Sequence, residues 1–186
     1  VVQKKYLKLY EDLARNRVYS ILFKYPDKEF SLSDIAKEAR VAKANLGNIL
    51  DELNHLEIIK IEKLSKIWRI RANLESWNYT KSKIVFNLNF AYNSGLIDFL
   101  INYFNNPKCI ILFGSFRKGE DISSSDIDIA IECEVEEYTT YRLGELFDFE
   151  KYIGRNIQIH LFNRKVVDLN LLNNFANGIV LFGYLE

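Results

Sequence analysis

The stretch from Ile110 to Ile131, IILFGSFRKGEDISSSDIDIAI, constrains the fold more than any other part of this chain. Ile110 to Phe113 is a run of four apolar residues that reads as a buried strand, and Gly114-Ser115 follows it directly. Beyond ten intervening residues, Asp126 and Asp128 stand on either side of Ile127 inside a second apolar run. Residues i and i+2 of a strand point to the same face. The two carboxylates therefore share one side, while Ile127, Ile129 and Ile131 enter a core on the other. Adjacent carboxylates suit a hard cation such as Mg²⁺, which commonly also takes oxygens from a nucleotide's phosphates.

The pattern Gly114-Ser115, Gly119 and Ser125-Asp126-Ile127-Asp128 resembles the DNA polymerase β-type nucleotidyltransferase superfamily, in particular its small minimal members from prokaryotes. The resemblance implies that Gly114-Ser115 opens a helix and holds the triphosphate of ATP or another nucleoside triphosphate. It implies that Asp126 and Asp128 hold Mg²⁺, with Ser125 beside them. Arg117 and Lys118 are outward cations on the same turn, within reach of phosphate. The family carries a third carboxylate in its third strand, within a Gly-Arg-x-apolar-Asp-apolar pattern. This chain has Gly154-Arg155-Asn156-Ile157-Gln158-Ile159, so that position falls on Gln158. A glutamine offers an amide oxygen, but no negative charge and no useful proton acceptor. His160 is two residues further on and faces the same side. It either accepts a proton from the acceptor hydroxyl or is a partly buried histidine bonded to a backbone group. An acid between Glu132 and Glu137 is the other place for a third ligand.

The first half of the chain has a different character. Residues 1–80 hold 15 Lys/Arg against 11 Asp/Glu, a net of +4, and residues 81–186 hold 10 against 14, a net of −4. A mildly basic half suits a polyanion. Tyr6 to Tyr25 reads as a helix ended by Pro26-Asp27, and Ser33 as the N-cap of a second helix with Ile35, Ala36 and Ala39 inward. After the turn Arg40-Val41-Ala42, a third helix is predicted from Lys43 to Leu56, with Leu46, Ile49, Leu50, Leu53 and Leu56 on one stripe. Ile58–Lys63 and Lys66–Arg71 read as two short strands joined by Leu64-Ser65. This order, over roughly residues 4–72, resembles a winged helix-turn-helix domain. The resemblance makes Lys43–Leu56 the recognition helix, with Lys43, Ala44, Asn45 and Asn48 toward duplex DNA and Gly47 allowing close approach. Lys63, Ser65 and Lys66 become the wing, and Arg69 a phosphate contact. Asp51, Glu52 and Glu57 oppose DNA, and winged helices also serve as docking modules.

Residues 73–82 are expected to form a polar connector pinned by Trp77 and Tyr79. A long helix follows, with Ile84, Val85, Leu88, Ala91, Tyr92, Leu96, Phe99, Leu100 and Tyr103 on a stripe for the core or a dimer surface. Asn87, Asn89, Asn93, Asp98 and Asn102 form its wet face. Beyond the two central strands, Tyr138–Ile153 reads as helix, Asn156–Phe162 as strand, Arg164–Asn177 as helix and Ile179–Leu185 as strand. Cys109 and Cys133 are expected to be small buried hydrophobes, a disulfide between them being the lesser alternative. No apolar run reaches membrane-spanning length and the polar start is unlike a signal peptide, so a cytoplasmic protein is expected. The sequence has no methionine, which is expected of a chain whose first residues are cut away.

The expected fold class is α/β (α+β): a winged helix-turn-helix domain at 1–75, a connecting helix at 76–107, and a small nucleotidyltransferase-like domain with a mixed sheet at 108–186. The implied activity is Mg²⁺-dependent transfer of a nucleotidyl group to a hydroxyl acceptor. By the resemblance that acceptor is a small molecule or a protein such as a toxin partner. The alternatives are a DNA-binding regulator that senses nucleotide or is held together as a homodimer, and an antitoxin that acts by occlusion.

Overall fold

The computed structural model describes residues 13–64 and 67–185. The fold is α+β, and the chain divides into two compact units whose boundary in sequence falls between Phe86 and Asn87.

Among the described residues, the first unit has α1 (Ala14–Lys24), α2 (Leu32–Ala39) and α3 (Lys43–His55). The part of the first predicted helix that precedes residue 13 lies outside the described residues. The predicted cap Ser33 is corrected to Ser31. The Ser31 hydroxyl accepts from the Asp34 N–H while the Asp34 carboxylate accepts from the Ser31 N–H, a reciprocal capping box. Ser33 sits inside the helix, where it cannot serve that role. β1 (Ile59–Leu64) and β2 (Ile67–Ala72) pair antiparallel, and Phe30 adds an isolated antiparallel bridge to Ile70. Val18, Leu22, Ile35, Leu46, Leu50, Leu53, Ile59 and Ile70 form one buried cluster. Each such side chain contributes about 1.5–3 kcal/mol by burial. Leu56, expected on the buried stripe, is exposed because the helix has ended at His55.

The connector is shorter than expected, because α4 (Trp77–Asn93) already starts within it. Tyr79 enters the first unit's core, but Trp77 is exposed. The predicted inward face of this helix is also corrected. Val85 and Tyr92 are exposed, whereas Lys83, Asn87, Phe90 and Ala91 are buried. The predicted single long helix breaks after Asn93. Gly95 takes φ +85°, a left-handed conformation that glycine adopts without steric cost, and α5 (Leu96–Tyr103) starts anew.

The second unit is built on a five-stranded mixed sheet. Its strands are β3 (Cys109–Phe113), β4 (Ile127–Glu132), β5 (Thr139–Tyr141), β6 (Ile157–Phe162) and β7 (Ile179–Gly183), in spatial order β5-β6-β4-β3-β7. Only β4 and β6 run parallel. The helical turn α6 (Gly114–Lys118) joins β3 to the loop before β4. The helix predicted over Tyr138–Ile153 is corrected: β5 occupies its first part and α7 (Phe147–Ile153) its last. The β-branched pair Thr139-Thr140 favours an edge strand against β6 over a helix. The helix predicted from Arg164 is observed as α8 (Leu169–Ala176), because Asp168 caps it by accepting from the N–H groups of Asn170 and Leu171.

Alternation gives this sheet two unlike faces. Ile110, Leu112, Ile127, Ile129, Ile131, Ile157 and Ile159 point one way and are sealed. Cys109, Ile111, Ala130 and Phe162 point the other way and pack with Phe175 of α8. Asp128, Gln158 and His160 belong to this second face by their position in the strands. No single helix among the described residues is long and apolar enough to cross a membrane.

Candidate active site

The site forms where β3 ends and β4 begins. Phe113 pairs in register with Asp128, and Asp128 with Gln158 of β6. The turn after β3 must be glycine for two reasons. Gly114 has φ +73°, and a Cβ built on it would lie 2.3 Å from Oδ2 of Asp128. The carboxylate is thus seated directly against the bare backbone of the turn. Gly119 closes the turn in a left-handed conformation, and the Glu120 N–H donates to the Ser115 carbonyl at 3.0 Å.

Asp126 precedes β4 by one residue. Arg142 donates to both of its oxygens at 3.2 Å, and the Asn156 amide donates to Oδ1 at 3.0 Å. On Asp128, Oδ1 lies 3.3 Å from Nε2 of His160. The other ring nitrogen, Nδ1, lies 2.7 Å from the Tyr138 hydroxyl. The imidazole is held by the edge of Phe113, with ring centroids 4.8 Å apart. Burial and the Asp128 charge push the Tyr138 phenol above its ordinary pKa. His160 is therefore tied to side chains and not to a backbone group, which was one of the two readings from sequence. Both of its nitrogens are engaged by side chains, one of them a carboxylate of the site.

The remaining predicted residues distribute as follows. Ser125 holds the loop itself: its hydroxyl accepts from the Ile122 N–H at 3.0 Å. Lys118 is exposed, and Nε of Arg117 is buried with no hydrogen-bond partner among the described residues. Glu132 is buried and accepts from the Arg164 guanidinium, which removes it from the site. Cys109 and Cys133 are both free, and burial pushes the Cys109 thiol up to about 11. Neither is an activated nucleophile.

A second set of residues, missed from sequence, frames the site. Asp121 accepts from Arg155 at 3.1 and 3.3 Å and from Asn87 at 2.9 Å, and all three are buried. Asn87 also donates to the Phe116 carbonyl at 2.7 Å. This correction to the expected wet face of α4 has a clear cause, since Asn87 is inward to hold the loop that leads to Asp126. The signal available was Arg155 itself, a cation set between Gly154 and a strand. Tyr138 and Arg142 gave no signal, because both were assigned to a helix.

The donors at the site suit one hard cation. Asp128 lies in β4, Asp126 immediately precedes that strand, and the neutral amide of Gln158 pairs in register with Asp128. Among the described residues no group of three His, Cys, Asp or Glu side chains is arranged to hold a metal by itself. Substrate oxygens would have to complete the shell, as is usual for Mg²⁺.

In the first unit, Lys43, Asn45 and Asn48 are exposed on α3. Nζ of Lys63 lies 4.2 Å from the centre of the Trp68 ring, and Arg69 lies 4.0 Å from Glu29. Ser65 and Lys66 lie outside the described residues. Glu52 accepts from Arg15 at 2.8 Å, which neutralises one of the acids near α3.

Residues 94–184 match the family model described as Polymerase beta, Nucleotidyltransferase. The matched part contains the whole glycine-serine turn, both aspartates and β6. Comparison with curated proteins and with solved structures returned no match.

Proposed function

We propose that this chain binds a nucleoside triphosphate with Mg²⁺, ATP foremost, and transfers its nucleotidyl group to a hydroxyl. The observation that carries this reading is the seating of Asp128 against Gly114, with Asp126 two residues before it. Asp126 and Asp128 would hold Mg²⁺, which supplies charge neutralisation along the triphosphate. The Gly114-Ser115 turn approaches the phosphates with bare backbone. Arg117 and Lys118 add positive charge on the same turn, and Ser125 keeps the loop before Asp126 in shape.

The first unit is read as a winged helix that binds duplex DNA. Three helices followed by an antiparallel hairpin, with Lys43, Asn45 and Asn48 exposed on the third helix, support that reading. Lys63 of the hairpin and Lys66, which lies outside the described residues, complete the proposed contact. A cytoplasmic location, a homodimer and a protein acceptor such as a toxin partner belong to the same proposal.

The test is thermal unfolding of the full chain with and without Mg²⁺ and ATP. A ligand that binds only the native state raises the midpoint. The rise is expected in the wild type and lost in Asp126→Asn, Asp128→Asn. An unchanged rise in that variant rejects the site. DNA binding is tested by gel shift on random duplexes at low salt, with affinity expected to fall steeply as salt rises.

A second reading is favoured by Gln158, which stands opposite Asp128 where a third carboxylate is expected. In it the protein is a DNA-binding regulator with weak or no turnover. Slow release of pyrophosphate from ATP by the wild type, accelerated in Gln158→Asp, would support it. Fast wild-type turnover would reject it.

A further inference from the structure

Tyr138, His160 and Asp128 are linked as hydroxyl, imidazole and carboxylate, at 2.7 and 3.3 Å. That is the arrangement of a nucleophile, its base and the group that orients the base. His160 has no nitrogen left for an outside acceptor, so the one hydroxyl it serves is that of Tyr138. We propose that Tyr138 is itself a nucleotidyl acceptor, and that the chain modifies its own tyrosine from a bound nucleoside triphosphate. The proposal rests on the nucleotide-binding reading above and names the acceptor for the same site.

Three observations make the step feasible. Tyr138 is 37 % exposed, so its side chain is open to solvent. Asp128 uses different oxygens for its two tasks: Oδ1 faces His160, and Oδ2 faces the Gly114 turn. The Tyr138 hydroxyl is in hydrogen-bond contact with Nδ1 of His160, which can take its proton during attack. With Tyr138 donating to Nδ1, Nε2 carries the other proton and donates to Asp128.

In the step, Oη of Tyr138 attacks the α-phosphorus and forms a new O–P bond. The bond from the α-phosphorus to the bridging oxygen breaks, and pyrophosphate leaves with that electron pair. The phenolic proton passes to Nδ1, and the resulting imidazolium faces the Asp128 carboxylate. The product is a tyrosyl phosphodiester of the nucleoside. Gln158 cannot act as the acceptor-side base, so the histidine relay supplies to this one hydroxyl what the glutamine lacks.

The experiment uses the full chain with Mg²⁺ and ATP, followed by intact mass and peptide mapping. One nucleotidyl group is expected on the peptide carrying Tyr138. No gain is expected in Tyr138→Phe, an undiminished gain in Tyr184→Phe, and a rate about 10²-fold lower or less in His160→Gln. A second measurement needs no turnover. Tetranitromethane should nitrate Tyr138 in the free protein, and Mg²⁺ with a non-hydrolysable α,β-methylene triphosphate should protect it. A mass that does not change, label that persists in Tyr138→Phe, or nitration that the analogue leaves unaltered overturns the proposal. If these results come with a normal thermal shift, nucleotide binding stands and only the acceptor is wrong. If the thermal shift is also absent, the nucleotide reading falls with it.

Discussion

Asp121 and Asp126 lie five residues apart in one loop, and each faces an arginine. Asp121 and Arg155 are sealed, at 1 % and 2 % side-chain exposure, and Asn87 and the Gly154 carbonyl take up further hydrogen-bonding capacity. Asp126 and Arg142 remain open, at 29 % and 57 %. The chemistry of the two pairs is the same, but the surroundings reverse its meaning. A buried pair repays its desolvation only when geometry and extra hydrogen bonds are complete, and it cannot open without stranding a charge. An exposed pair is screened by water and salt and separates at little cost. One therefore holds the loop in place. The other can release Asp126 to a ligand. The consecutive residues Arg155 and Asn156 each reach one of these aspartates, so the entry to β6 connects the fixed end of the loop to the working end.

The largest expected effect comes from breaking the sealed pair. Arg155→Met takes the guanidinium away from the buried Asp121 carboxylate, which should cost about 3–5 kcal/mol in urea unfolding of the full chain. Adding Asp121→Asn should recover part of that loss, because the charge is gone while the contact with Asn87 can survive. A loss below about 1 kcal/mol in the single variant would mean that the pair has no role in holding the loop.

The two aspartates also differ in how far sequence could identify them. Asp128 was legible from local pattern, since the alternation of IDIAIE sends isoleucine one way and carboxylate the other, and Asp126 stands just before that strand. Gln158 was legible in the same manner, since its spacing from Gly154 places it in β6. Asp121 was not, because a charge becomes a core residue only when its partner arrives, and Arg155 is 34 residues away. The inward face of α4 was misread for the same reason. Lys83 and Asn87 are buried there while Val85 is exposed, so the apolar period pointed to the wrong stripe. Tyr138 was hidden by the missed strand β5, whose edge pairing with β6 is again a long-range contact. Patterns local to a strand were readable, whereas polar groups whose partners lie elsewhere in the chain were not.

A smaller effect on stability, with a larger one on binding, is expected from Gly114→Ala. The left-handed backbone costs a non-glycine residue roughly 1–2 kcal/mol. The added Cβ, at 2.3 Å from Oδ2, must also displace the Asp128 carboxylate. The unfolding midpoint should fall modestly, and the rise with Mg²⁺ and ATP should be lost. This separates the scaffold, which Arg155 maintains, from the site, which Gly114 shapes. Retention of the full nucleotide response in a folded Gly114→Ala protein would show that Asp128 does not need its seat against the turn.

The smallest effect on stability belongs to Arg142→Ala, and it is the sharpest test of the contrast. The guanidinium donates to both Asp126 oxygens from a position more than half exposed. Exposed pairs of this kind are worth about 0–1 kcal/mol, so urea unfolding should change little. Titration with Mg²⁺ alone should report something different. In the wild type the cation must displace Arg142 to gain Asp126, and in the variant that competition is gone, so the metal should bind more tightly. Raising the salt should narrow the difference, because screening already loosens the pair in the wild type. If Mg²⁺ with ATP binds more weakly in the variant while Mg²⁺ alone binds more tightly, the released arginine has moved onto the triphosphate. If Arg142→Ala instead unfolds as readily as Arg155→Met, the two pairs are alike after all, and exposure does not distinguish a latch from a bolt in this loop.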